Sequence, residues 1–179
     1  MTLVLRDVRL SRWDSPGKHD WLAEGDIPAD PLADFAKTDE NCLSVFFVDD
    51  DRKDLDDVLA ALAANREKAD KLDYVLFTEG HLRAARVRVC EASGRTPDEQ
   101  VNRLHRDLTQ LSAAKVLELT TSVWHENIEV KRIDKRRAVQ LVADAVRRGR
   151  ISLERLKPQL RDDIRFCLGE NRDEGRKPR

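Results

Sequence analysis

Apolar residues along this chain change their period several times, and each change marks an element. Val45, Phe46, Phe47 and Val48 form an unbroken apolar block that stops at Asp49, Asp50 and Asp51. Such a block suits a strand covered on both faces better than a half-exposed edge. Leu55, Val58, Leu59, Leu62 and Ala63 then recur at helical spacing behind aspartates able to cap a first turn. Asp73-Tyr-Val-Leu-Phe-Thr78 is a second apolar run, ending in Glu79-Gly80. The pattern predicts a strand over 43–48, a helix over 53–67 and a strand over 73–78. That is the length of a βαβ crossover, which would make the two strands parallel neighbours.

Around this unit the periods are more varied. Leu3 to Leu10 predicts a first strand with a bulge near Asp7, and Leu82 to Cys90 alternates as a half-exposed strand does. Between Ser11 and Asn41 the pattern dissolves among prolines and glycines, with one short helix from Leu32 to Lys37. Thr96-Pro-Asp-Glu99 reads as a capping box, and Val101, Leu104, Leu108 and Leu111 extend it into a helix over 97–113 with His105 beside the stripe. Thr120, Thr121 and Val123 favour a strand over 116–124, paired as a hairpin with 128–133. A helix over 135–148 and a broken helix over 152–168, interrupted at Pro158, complete the pattern. The expected architecture is a single α+β domain over 1–169, with helices against a mixed sheet of five or six strands centred on the βαβ unit. Residues 11–41 would form a long ordered loop or arm, and 170–179 a disordered charged tail.

Composition narrows the setting. The 179 residues suffice for one full core, 40% are apolar, and no apolar run is long enough to cross a membrane. The start lacks the basic and apolar regions of a signal peptide. Cys42, Cys90 and Cys167 are odd in number and far apart, so buried thiols in a reducing cytoplasm are expected rather than disulfides or a metal set. The net charge of −1 conceals a division: residues 1–80 carry −9 and the remainder +8. Asp20 to Asp57 is the acidic extreme and Lys131 to Arg150 the basic one. Such asymmetry either steers a charged partner or is neutralised within the fold.

Several constellations could carry chemistry. With parallel neighbouring strands, Asp49, Asp50 or Asp51 would converge with Glu79 at the carboxyl edge of the sheet, where open α/β sheets bind ligands. Asp49, Asp51 and Glu79 would then hold Mg²⁺ or Mn²⁺ for a phosphohydrolase or nuclease, because hard cations take oxygen ligands and clamp phosphate. The plainer reading makes the aspartates helix caps and Glu79-Gly80 a turn. Glu129-Val-Lys131 has the acid-x-lysine form used by metal-dependent nucleases, with Glu118 on the expected partner strand or the more distant Asp49 as companion, although such triplets are frequent in so charged a chain. His125-Glu126 lacks the second histidine that a zinc-protease helix needs at position 129, and nucleophilic catalysis has no local motif. Arg136, Arg137, Arg147, Arg148 and Arg150 ride on helices joined by a turn, a form that can dock on nucleic-acid phosphates.

Caps, stripes and turns account for most of the remaining residues. What they leave over is a charge dipole and a long loop bearing Trp13 and Trp21, both features of recognition surfaces. The sequence therefore points first to a non-catalytic interaction or accessory protein that recognises a protein partner through Trp13 and Trp21, needing no cofactor. A metal-dependent enzyme and a nucleic-acid-binding regulator are the alternatives.

Overall fold

The computed structural model describes residues 2–13, 20–126 and 129–169. The 170–179 tail, the Pro16-Gly17 stretch and the Asn127-Ile128 tip of the expected hairpin lie outside them. The chain divides into two compact units, one of Met1–Lys53, Asp73–Ser93 and Leu104–Arg132, the other of Asp54–Leu72, Gly94–Arg103 and Ile133–Arg179.

The first unit is built on a six-stranded sheet. Its strands are β1 (Leu3–Val8), β2 (Leu43–Val48), β3 (Leu72–Thr78), β4 (Arg88–Glu91), β5 (His105–Thr109) and β6 (Glu129–Ile133), in the order β4-β5-β2-β1-β3-β6. β1 pairs antiparallel with both β2 and β3, β2 with β5, and β5 with β4. Consequently β2 and β3 do run parallel, but β1 lies between them, and the expected parallel neighbours do not touch. Leu3 stands opposite Val48 on one side and Thr78 on the other. Beyond the Leu5 and Phe46 pair, the Arg6 guanidinium donates to the Ser44 carbonyl at 2.9 Å. Burial lowers the pKa of Arg6, with the charges of Asp7 and Asp34 acting in the opposite sense.

Three helices belong to this unit: α1 (Ala29–Phe35), α3 (Glu79–Ala84) and α5 (Ala113–His125). One face of the sheet, with Val4, Val8, Leu43, Val45, Val75, Phe77 and Leu108, shares a core with Phe35, Leu82, Val116, Leu119 and Val123 of these helices. The alternate positions Leu5, Phe46, Leu72 and Leu76 are buried as well, as the unbroken apolar runs require. β1 carries no bulge and gives way to a 3-10 turn at Leu10–Arg12.

Three expectations are corrected here. The helix over 97–113 is only α4 (Glu99–Asn102), followed by β5. Its four apolar positions fit a helical stripe, yet Leu108 is buried between Leu43 of β2 and Val89 of β4, and the two ladders outweigh the local period. The cap is Asp98, whose Oδ1 accepts from Gln100 N (2.9 Å) and Val101 N (3.1 Å), rather than Thr96. The strand over 116–124 is helix α5, capped by Ser112. Its buried residues Val116, Leu119, Thr120 and Val123 have helical spacing, and the Thr120 hydroxyl donates to the Val116 carbonyl at 2.7 Å, which satisfies a β-branched residue inside a helix. The hairpin with 128–133 dissolves accordingly. Leu82 to Cys90 is the end of α3 followed by the short strand β4, rather than one strand.

The second unit holds α2 (Leu55–Ala64), α4, α6 (Lys135–Arg147), a 3-10 turn at Leu153–Arg155 and α7 (Pro158–Leu168). α2 packs on α6 and α6 on α7. Ala60, Ala61, Ala63 and Ala64 of α2 and Ala138, Ala143 and Ala145 of α6 are buried, so small side chains suit these helices to close packing. Pro158 opens α7 at its first turn, where its missing N–H is no loss, and Gly169 ends it at φ +82°.

Candidate recognition site

The long segment between β1 and β2 is pinned at its start by two buried aspartates. Asp34 of α1 accepts from Arg12 Nη1 (2.6 Å), Arg9 N (3.0 Å) and the Trp13 indole N–H (3.0 Å). Asp73 of β3 accepts from Leu10 N (2.9 Å) and from Arg132 Nε and Nη2 (2.6 and 2.9 Å). That two-pronged bond from Asp73 also raises Arg132 above its ordinary pKa. Trp13 is thereby drawn into the core, its ring 5.8 Å from Phe35 and 6.0 Å from Trp124. It is 8% exposed and offers no recognition surface.

Trp21 is the opposite case, at 69% exposed. It precedes a tight turn in which Asp26 N donates to Ala23 O (3.0 Å), with Gly25 at φ +85°. A side chain at Gly25 would be strained at that angle. The turn is held to α5 by His125, whose Nε2 donates to the Gly25 carbonyl at 3.3 Å. α1, whose N-terminal turn carries Asp30, closes the segment by burying Pro31, Asp34 and Phe35. Trp21 thus precedes an anchored turn and helix, with Asp20, Glu24, Asp26 and Asp30 exposed along this stretch.

The end of α5 is the hub of this arrangement. Trp124 packs on Trp13, His125 holds Gly25, and Glu126 approaches His81. His81 is 5% exposed and completes a capping box on α3. Its Nδ1 accepts from Thr78 N (3.2 Å) and lies 2.8 Å from Thr78 Oγ1. Its Nε2 is 2.8 Å from Glu126 Oε2, within ion-pair reach but off the line of a hydrogen bond. Neither the Asp34 anchor nor His81–Glu126 was legible as a site. Asp34 and its partners are 21 to 25 residues apart, and histidine is not the Glu or Gln that a capping box announces.

The other candidate residues fall elsewhere. Asp49, Asp50 and Asp51 line an open depression of about 580 Å³ with Thr2. Glu79 is two strand spacings away across β1, roughly 10 Å, and takes Arg83 at 3.4 Å. Asp51 pairs with Lys53, whose hydrogen bonds to the carboxylate lower its pKa. That small contribution is present above the ordinary carboxylate pKa and lost as pH falls through the lowered one. Among the described residues no group of three or more His, Cys, Asp or Glu side chains is placed to hold a metal ion. Glu118 lies on α5 rather than beside β6, and the Glu129 side chain is outside the described residues, so the acid-x-lysine triplet has no companion strand.

The arginines of the second unit are largely engaged within it. Arg137 meets Asp56 at 2.8 Å, Arg147 meets Asp144 at 2.7 Å and Arg148 meets Asp57 at 2.7 Å. Arg150 bridges Asp57 (2.8 Å) and the buried Asp98 (2.9 Å). Burial pulls Arg150 down in pKa, but bonds to Asp98 and Asp57 outweigh it and hold the group above its ordinary value. Arg136 stays on the exposed face of α6. The basic extreme of the sequence is thus neutralised locally by α2 and α4 to a large degree. Compared with protein-family models, with curated proteins and with solved structures, the chain matches none.

Proposed function

We propose that this chain is a non-catalytic recognition protein that engages a protein partner through the Trp21 arm. The observation that carries the reading is the exposure of Trp21, 69%, just before a turn that His125 holds at Gly25. Exposing a large indole forgoes burial worth roughly 2–3 kcal/mol. An anchored turn beside it lowers the entropy cost of binding through it. Tryptophan is also the residue type most enriched among the side chains that dominate protein interfaces. Three free, half-buried cysteines suit work in a reducing compartment such as the cytoplasm.

The test is affinity capture with the full chain from extracts of its own source, comparing wild type with Trp21→Ala by quantitative mass spectrometry. A partner retained by wild type and depleted about tenfold or more by Trp21→Ala supports the reading, because an interface tryptophan commonly contributes 2 kcal/mol or more. The variant should keep its thermal midpoint, since the removed ring is exposed. Equal recovery of every captured protein by the two chains would refute it.

A further inference from the structure

Arg6 occupies a place on the sheet where a cation is costly. It lies in phase with Val4 and Val8 on β1, whose side chains join the helix-covered core, and it stands opposite Val75 of β3 in that same core. Val45 and the partly buried Phe47 of β2 share this face. The Nε–H of Arg6 is buried and meets no acceptor, while Nη1 donates to the Ser44 carbonyl at 2.9 Å. No carboxylate among the described residues forms an ion pair with the guanidinium. Two carboxylates are near enough to act on it through their charge. Asp34 is already held by Arg9 N, Arg12 and Trp13, and alternation along the strand turns Asp7 to the opposite face. Burial outweighs both and lowers the pKa of Arg6.

Arg12 and Arg132 show the usual arrangement, each with an aspartate at 2.6 Å. A partly buried cation without such a partner destabilises the fold that holds it. Of the five N–H donors of a guanidinium, the one on Nε is sealed and one on Nη1 is taken by Ser44, which leaves donors on both Nη1 and Nη2. Unlike Nε, Nη2 is not sealed from solvent. Donors on two nitrogens of one guanidinium form the fork that takes both oxygens of a carboxylate. We propose that Arg6 anchors a carboxylate-binding site on this face of the first unit, with the two oxygens of the acid on Nη1 and Nη2. One cation answers one negative charge, so a carboxylate is matched where a phosphate dianion leaves a charge over. This site goes beyond the recognition reading and does not rest on it.

The test titrates the isotope-labelled full chain with acetate, benzoate, inorganic phosphate and a peptide in which glycine alternates with glutamate, each against sodium chloride at equal ionic strength. NMR follows the arginine side-chain N–H signals and the backbone amides of β1 and β3. The Arg6 signal, assigned by its absence from Arg6→Met, should shift saturably with a carboxylate and not with chloride. Arg6→Lys keeps the charge but not the fork and should bind several-fold more weakly. Arg6→Met should abolish binding and keep or raise the thermal midpoint, because it replaces an uncompensated cation by an apolar side chain. Binding of acetate or benzoate but not the peptide assigns the site to free acids, and the reverse assigns it to an acidic segment of a partner; either supports the site. Absence of a saturable shift with every carboxylate, an equal shift with chloride, tighter binding of phosphate than of any carboxylate, or binding that survives in Arg6→Met overturns it.

Discussion

Two tryptophans in one polar stretch end in opposite environments because of a single aspartate. Trp13 and Trp21 look alike in the sequence, each preceded by a charged residue, and period gives no means of separating them. The difference is Asp34, which receives the Trp13 N–H and so allows the ring to be buried without an orphaned donor. Asp34→Ala should therefore cost about 3 kcal/mol, because it strands the indole and the Arg9 N–H while Arg12 returns to solvent. Urea unfolding checks this, and a loss under about 1 kcal/mol would mean that water replaces the carboxylate. The Asp49 to Asp51 cluster shows the reverse. It was fully legible as acids after a strand, but its meaning depended on Glu79 being adjacent, and strand order is not written in any local pattern.

At the scale of elements, strong caps and unambiguous periods were readable. β2, β3, α2, α6 and the break at Pro158 lie where the sequence places them, within a few residues. The failures share one cause. Leu104 to Leu111 and Val116 to Trp124 each satisfy two periods, and the outcome was decided by ladders to β2 and β4 in the first case and by the Ser112 cap and helical burial in the second. The turn before β2 is also set by tertiary demand. Glu40 and Asn41 have φ of +50° and +59° between Asp39 and Cys42, which bond to each other at 2.8 and 3.0 Å. Positive φ at both central residues is the type I′ form, favoured by Asn-Gly. Glu40→Asn combined with Asn41→Gly should raise stability by about 1 kcal/mol, read as a higher denaturant midpoint with an unchanged slope. A lower midpoint would show that Glu40 has a use the turn geometry does not explain.

For the whole molecule, the charge division of the sequence separates into two kinds of surface. The basic extreme is mostly answered inside its own unit, chiefly by Asp56, Asp57, Asp98 and Asp144, which removes much of the field a nucleic-acid binder needs. Along the arm, by contrast, Asp20, Glu24, Asp26 and Asp30 remain exposed beside an exposed indole. A division of charge was visible from composition; which half would be internal was not, because pairing partners such as Arg148 and Asp57 lie 91 residues apart. The most direct test of the recognition claim places a photo-crosslinking residue, p-benzoylphenylalanine, at Trp21, with Phe166 as the control. Phe166 is 78% exposed but lies outside the arm. Irradiation in living cells should give a discrete adduct with another protein from position 21 and none of that mass from position 166. No adduct at position 21, or the same adduct from both positions, would contradict it.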